Sequence, residues 1–98
     1  MMPTQEELNK VFREVQDDCL ELFTEKNTRY ESAFFKQLEE DGDLSSIPVR
    51  LSDKVSRIKA LVKNSDLATA DESIEDTLKD LANYAVMTLT FIHMNKAK

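Results

Sequence analysis

Apolar residues recur along this chain at helical spacing, and strand-like alternation is absent. Leu8, Val11, Phe12, Val15, Cys19, Leu22 and Phe23 share one side of a first helix. Glu14, Asp17, Asp18, Glu21 and Glu25 share the other. Thr4 followed by Glu7 reads as a capping box, so this helix is predicted to start there and run to about residue 26. Asn27 and Thr28 break or bend it. Tyr30, Phe34 and Leu38 then mark a second, shorter helix over residues 29–40. Asp41-Gly42-Asp43 and Ser45-Ser46-Ile47-Pro48 carry turn chemistry. A third helix is predicted over about residues 49–63, with Leu51, Val55, Ile58 and Val62 inward. Asn64-Ser65-Asp66 is its exit. Thr69 and Glu72 form a second capping box, and a fourth helix runs from there to about Asn95.

That fourth helix has an unusual polar stripe. Asp76, Asp80 and Asn83 stand at i, i+4 and i+7, on one face. Ile74, Leu78, Leu81 and Ala85 line the opposite face. Met87 and Met94 continue the acidic stripe, with Phe91 close beside it. The last turns are therefore apolar almost all round, as in a helix buried on several sides.

Four helices with short connections predict an all-α protein, a compact four-helix bundle forming a single helical domain over residues 1–98. One Gly and two Pro among 98 residues agree with this. A domain this small buries a modest core, so a second copy would help it. The net charge of −6 argues against free nucleic acid as a partner, because that affinity comes from Lys and Arg on phosphates. A single cysteine, Cys19, excludes an intrachain disulfide and fits a reducing cytosol. No signal peptide pattern opens the chain. The longest apolar stretch, residues 81–94, contains Asn83 and is too short to span a bilayer. A soluble, cytoplasmic protein is expected.

Three stripes could carry chemistry. Oxygen ligands at Asp76, Asp80 and Asn83 suit Mg²⁺ or Mn²⁺, both hard cations. The alternative is a solvated face, with Glu75 and Lys79 nearby. Glu21 and Glu25 form a second i, i+4 pair, able to share a metal if the first and fourth helices pack together. On the residues alone, Glu14, Asp17 and Asp18 on the same face favour plain solvation. Arg50, Lys54 and Arg57 make a cationic stripe at i, i+4 and i+7. Like charges on one edge repel unless an anion sits among them, and phosphate is the natural guest. The alternative is a surface stripe eased by Asp53 against Arg57.

Asn27 and Tyr30, at the break between the first two helices, could contact a base or sugar, or act as a cap and a half-buried aromatic. His93 reads as structural and Cys19 as core. No Walker A, G-x-G-x-x-G or H-E-x-x-H motif is present, which argues against kinase, Rossmann and zincin mechanisms.

Taken together, three segments resemble a known family. They are Lys26-Asn27-x-x-Tyr30, Arg50-Leu51-x-x-Lys54-x-x-Arg57, and Asp76-Thr77-Leu78-x-Asp80-Leu81-Ala82-Asn83-Tyr84. They look like the type-one nucleotide modification associated domain family of bacteria and their phages. That family is similar in turn to the all-α, MazG-like nucleoside triphosphate pyrophosphohydrolases. The resemblance covers about residues 20–90. It implies a four-helix unit that binds Mg²⁺ through acidic residues on two helices, cleaves a nucleoside triphosphate to monophosphate and pyrophosphate, and works as a homodimer or higher oligomer. It implies Asp76 and Asp80 as metal-binding and catalytic residues, with Glu21 and Glu25 as ligands from the early helix. Arg50, Lys54 and Arg57 would hold phosphates, while Asn27, Tyr30 and Asn83 would line the nucleoside. Relatives commonly read Lys-Asn-x-Asp-Tyr-Gly at the first segment. Arg29 stands here in place of that Asp, and Glu31 in place of that Gly.

The expected function is thus a Mg²⁺-dependent nucleotide pyrophosphohydrolase. The alternatives are a non-catalytic nucleotide-binding accessory in nucleotide modification, and a helical protein-interaction module built on the fourth helix.

Overall fold

The structure, a computed structural model, describes residues 2–63 and 72–97. It is all-α, as the periodicity predicts: α1 (Gln5–Arg29), α2 (Ala33–Asp41), α3 (Ile47–Val62) and α4 (Glu72–Lys96). Among the described residues there is no strand. The exit at residues 64–66 and the Thr69 half of the second capping box lie outside the described residues. No helix among the described residues is long and apolar enough to cross a membrane. The chain divides into two compact units, Met1–Ser32 and Ala33–Lys98.

The first unit is α1 and the turn that ends it. Thr4 caps the helix by accepting the Glu7 backbone N–H at 3.1 Å. Glu6 and Glu7 in the first turn, and Lys26 and Arg29 in the last, complement the helix dipole. The helix runs three residues further than the sequence predicts, to Arg29. Its end is a Schellman motif. The Ser32 N–H reaches the Asn27 carbonyl at 2.9 Å, and the Glu31 N–H reaches the Thr28 carbonyl at 3.2 Å. Such a closure needs a left-handed residue at the position that Glu31 fills, and Glu31 has φ +52°. Ser32 follows at φ +60°. Glycine adopts this left-handed geometry without steric cost, and this chain meets it with Glu31.

No residue of α1 is buried. Phe12 is 65% exposed, and Cys19, expected in the core, is half-buried. The unit is one helix and one turn, so its apolar stripe has no second element within the unit to pack against.

The second unit has a real core. Phe34 and Leu38 of α2 and Ile47 of α3 are buried, and Leu38 is only 1% exposed. Phe35, Leu51, Tyr84, Met87 and Phe91 pack around them. Phe34 meets Phe35 edge-on and lies 5.5 Å from the Tyr84 ring. The two left-handed residues at 31 and 32 delay α2 to Ala33, four residues later than its pattern suggests. Gly42, at φ +69°, turns the chain out of α2. Asp43 then accepts both the backbone N–H (3.0 Å) and the hydroxyl (2.6 Å) of Ser45, and Pro48 sits in the first turn of α3.

The inward arc of α4 lies between its polar stripe and its apolar face. Ile74, Thr77 and Thr88 are buried, with Tyr84, Met87 and Phe91 half-buried along the same side. Leu78 is 47% exposed, and Ala85 is exposed. Residues one apart differ by about 100° on a helix, so Leu78 and Ala85 are swung away from Thr77 and Tyr84. The apolar last turns are not buried on several sides: Val86, Leu89 and Met94 are each more than half exposed. Within its unit α4 is covered on one side only, so one apolar flank stays outside.

Candidate functional site

The cationic stripe of α3 faces α4. Arg50, Lys54 and Arg57 line a cleft of about 450 Å³, together with Asp53 and Tyr84. Positions i, i+4 and i+7 extend the stripe by roughly 10 Å at 1.5 Å per residue. Each cation is also steadied by a neighbouring side chain. Lys54 Nζ lies 3.4 Å from Asp80 Oδ2. Arg57 donates through Nε to Thr77 Oγ1 at 3.3 Å. Arg50 lies over two rings, 5.4 Å from the Phe34 centroid and 5.8 Å from that of Tyr84, and Lys54 Nζ is 5.8 Å from the Tyr84 ring. Three cations are thus held along one groove with limited freedom, which lowers the entropy cost of binding an anion there.

Thr77 joins the site to the fold. Its buried hydroxyl donates to the Ser73 carbonyl at 2.7 Å while accepting from Arg57. Neither Thr77 nor Tyr84 stood among the sequence-derived site residues. A signal was available: Thr77, Asp80 and Tyr84 fall at i, i+3 and i+7, the spacing of one helix face.

The remaining predicted residues are distributed as follows. Asp80 and Asn83 are half-buried on α4, and Asp76 is exposed one turn earlier. Glu21 and Glu25 are exposed on α1, and Glu25 pairs with Arg29. Asn27 is half-buried and donates to Ser32 Oγ at 3.1 Å, bracing the turn that ends α1. Tyr30 follows the last turn, 59% exposed, with the Arg29 guanidinium 6.0 Å from its ring. His93 is exposed near the end of α4. The second unit therefore brings together Arg50, Lys54, Arg57 and Asp80, while Asn27, Tyr30, Glu21 and Glu25 belong to the first.

Among the described residues, no three His, Cys, Asp or Glu side chains are grouped so that they could hold a metal ion by themselves. Mg²⁺ on phosphates rarely needs such a cage. One or two carboxylates, substrate phosphate oxygens and waters complete its shell. Asp80, paired with Lys54 of the cleft, Asp76 one helical turn earlier and Asp53 in the cleft lining are the carboxylates that could take part in such a shell.

This is an all-α chain with a cationic cleft between two helices. The family model described as nucleotide modification associated domain 1 matches residues 26–93, and the chain belongs to that family. The match spans the cleft, Asn27 and Tyr30, and leaves Glu21 and Glu25 outside it. Comparison with curated proteins and with solved structures gives no match.

Proposed function

We propose that this chain binds the phosphate chain of a nucleotide in the α3–α4 cleft, as a nucleotide-binding component of nucleotide modification. The observation that carries this reading is the tethered stripe of Arg50, Lys54 and Arg57. Phosphate oxygens are strong acceptors, and guanidinium groups bind them bidentately. Two arginines flanking a lysine match successive phosphate groups better than a single anion. The family, named for its association with nucleotide modification, agrees with such a ligand. Asn83 remains a candidate for the nucleoside.

A second reading, hydrolysis to monophosphate and pyrophosphate by a MazG-like homodimer or larger oligomer, is favoured by one observation: Asp80 lies at the edge of the cationic cleft. Asp76 and Asp80 would hold the Mg²⁺ or Mn²⁺. That ion would supply Lewis-acid activation of the phosphate and of the attacking water. The chain itself would orient the phosphates through Arg50 and Arg57 and neutralise charge that builds on the departing oxygens.

Two measurements separate these readings. Calorimetric titration with nucleoside triphosphates is expected to show saturable binding by the wild type and at least tenfold weaker binding by Arg50→Gln or Arg57→Gln, roughly the loss of one charged hydrogen bond. Unchanged affinity in both variants contradicts the binding reading. Pyrophosphate release that needs Mg²⁺ and disappears in Asp80→Asn establishes hydrolysis. Binding without release leaves the non-catalytic accessory.

A further inference from the structure

We propose that the outer face of α4 docks a second copy of this chain, antiparallel, about a two-fold axis midway between Ala82 and Ala85. Leu78, Ala82, Ala85 and Leu89 follow one another at spacings of four, three and four residues, which makes one stripe of a helix. All four are exposed, Leu78 by 47% and Leu89 by 64%. The buried residues of α4, Ile74, Thr77 and Thr88, lie on another side. A lone exposed leucine is ordinary. Leucines aligned with two alanines over three turns form a face that another helix can cover.

The order of the residues selects a second copy as that helix. The stripe reads Leu, Ala, Ala, Leu in either direction, and its spacings do the same. A two-fold interface sets one patch against itself, so each contact occurs twice. About this axis Leu78 of one copy meets Leu89 of the other, and Ala82 meets Ala85. The alanines at the centre allow a close approach of the two helices. The charges obey the same axis. Glu75 and His93 are both exposed and lie eighteen residues apart, five whole turns, so they share one flank of the stripe. The axis brings Glu75 of one copy level with His93 of the other to within about 1.5 Å along the helix. Carboxylate then faces imidazole at both ends of the pair. A parallel pair would set Glu75 against Glu75, and like charges repel. Asp80 lies about 200° round α4 from Leu78, so a docked copy leaves the phosphate cleft open.

The test is sedimentation velocity of the full chain over a range of concentrations, with circular dichroism as the check on folding. Wild type is expected to show a reversible monomer–dimer equilibrium with Kd on the order of micromolar. Leu89→Arg, at an exposed position, is expected to keep its helix content and to weaken the dimer by about tenfold or more. Glu75→Arg takes the carboxylate away from the imidazole, and His93→Glu sets two carboxylates together. Each is expected to weaken the dimer roughly three- to tenfold. The double variant reverses both pairs and is expected to recover most of the wild-type affinity. A wild type that stays monomeric to about 1 mM overturns the dimer and leaves the stripe to a different partner. A dimer that Leu89→Arg leaves intact overturns its placement on α4. A double variant no tighter than the single ones overturns the antiparallel register.

Discussion

Arg57 of α3 donates its Nε–H to the buried hydroxyl of Thr77 on α4, at 3.3 Å. The same hydroxyl is anchored to the Ser73 carbonyl, so Thr77 fixes the guanidinium to the backbone of the neighbouring helix. Thr77→Val keeps the shape and removes the tether. Its stability cost is expected to be about 1 kcal/mol, the net worth of a typical hydrogen bond. Freeing the Arg57 side chain adds an ordering cost of ~0.5–1.5 kcal/mol to phosphate binding, roughly a two- to tenfold rise in Kd. Thr77→Ser restores the affinity. Urea unfolding and pyrophosphate calorimetry read the two effects separately, and equal affinity in the Val and Ser variants would sink the positioning role.

Glu31 meets the end of α1 in a conformation that costs an L-residue about 1–2 kcal/mol. Glycine removes that cost, partly offset by its greater freedom in the unfolded chain. Glu31→Gly is therefore expected to stabilise the closing turn by roughly 0.5–1 kcal/mol. Hydrogen exchange at the Glu31 and Ser32 amides, which close the Schellman motif, should slow accordingly. Faster exchange would contradict the assignment.

Leu38 and Leu78 look alike in sequence and differ in the fold. Leu38 is 1% exposed at the centre of the core, whereas Leu78 is 47% exposed. Leu38→Ala is expected to cost about 3 kcal/mol, since the cavity adds to the lost transfer energy. Leu78→Ala is expected to cost under about 1 kcal/mol. Chemical denaturation of both variants checks the two placements: a loss in Leu78→Ala as large as that expected for Leu38→Ala would turn the Leu78 arc of α4 inward.

Asp43 gives the fold a pH signature. The Ser45 hydroxyl, and next its backbone N–H, hold the Asp43 carboxyl below its ordinary value of 3.8. A carboxyl depressed in the folded state stabilises above its unfolded pKa, and that contribution is lost as pH falls through the folded value. Asp43→Asn keeps the acceptor oxygen and removes the titration. The difference in Tm between wild type and Asp43→Asn should therefore narrow or change sign as pH is lowered from about 5 to about 2. A constant difference would show that Asp43 does not titrate through this contact.

The helices were legible because their signals are local. Thr4 with Glu7, the turn at Gly42, and Pro48 opening α3 each act over a few residues. The Arg50-Lys54-Arg57 stripe was legible for the same reason, being one face of one helix. The rotation of α4 was not. Ile74, Leu78, Leu81 and Ala85 form a plausible apolar face, but packing on α3 buries Ile74 together with Thr77 and leaves Leu78 and Ala85 exposed. Thr77 was passed over because a β-branched hydroxyl lacks the charge that the metal-ligand pattern seeks. The end of α1 ran past its apparent break because a Schellman closure can form on Glu31, whose side chain gives no sign of a left-handed turn.

The most direct measurement of phosphate binding in the α3–α4 cleft is a nuclear magnetic resonance titration of the full chain with a nucleoside triphosphate. Saturable shifts at Arg50, Lys54, Arg57, Thr77 and Tyr84, including the Arg57 side-chain Nε–H signal, are the expected result. Shifts confined to a second groove, around Leu44, Phe91 and Asn95, or no shifts at millimolar nucleotide, would contradict it.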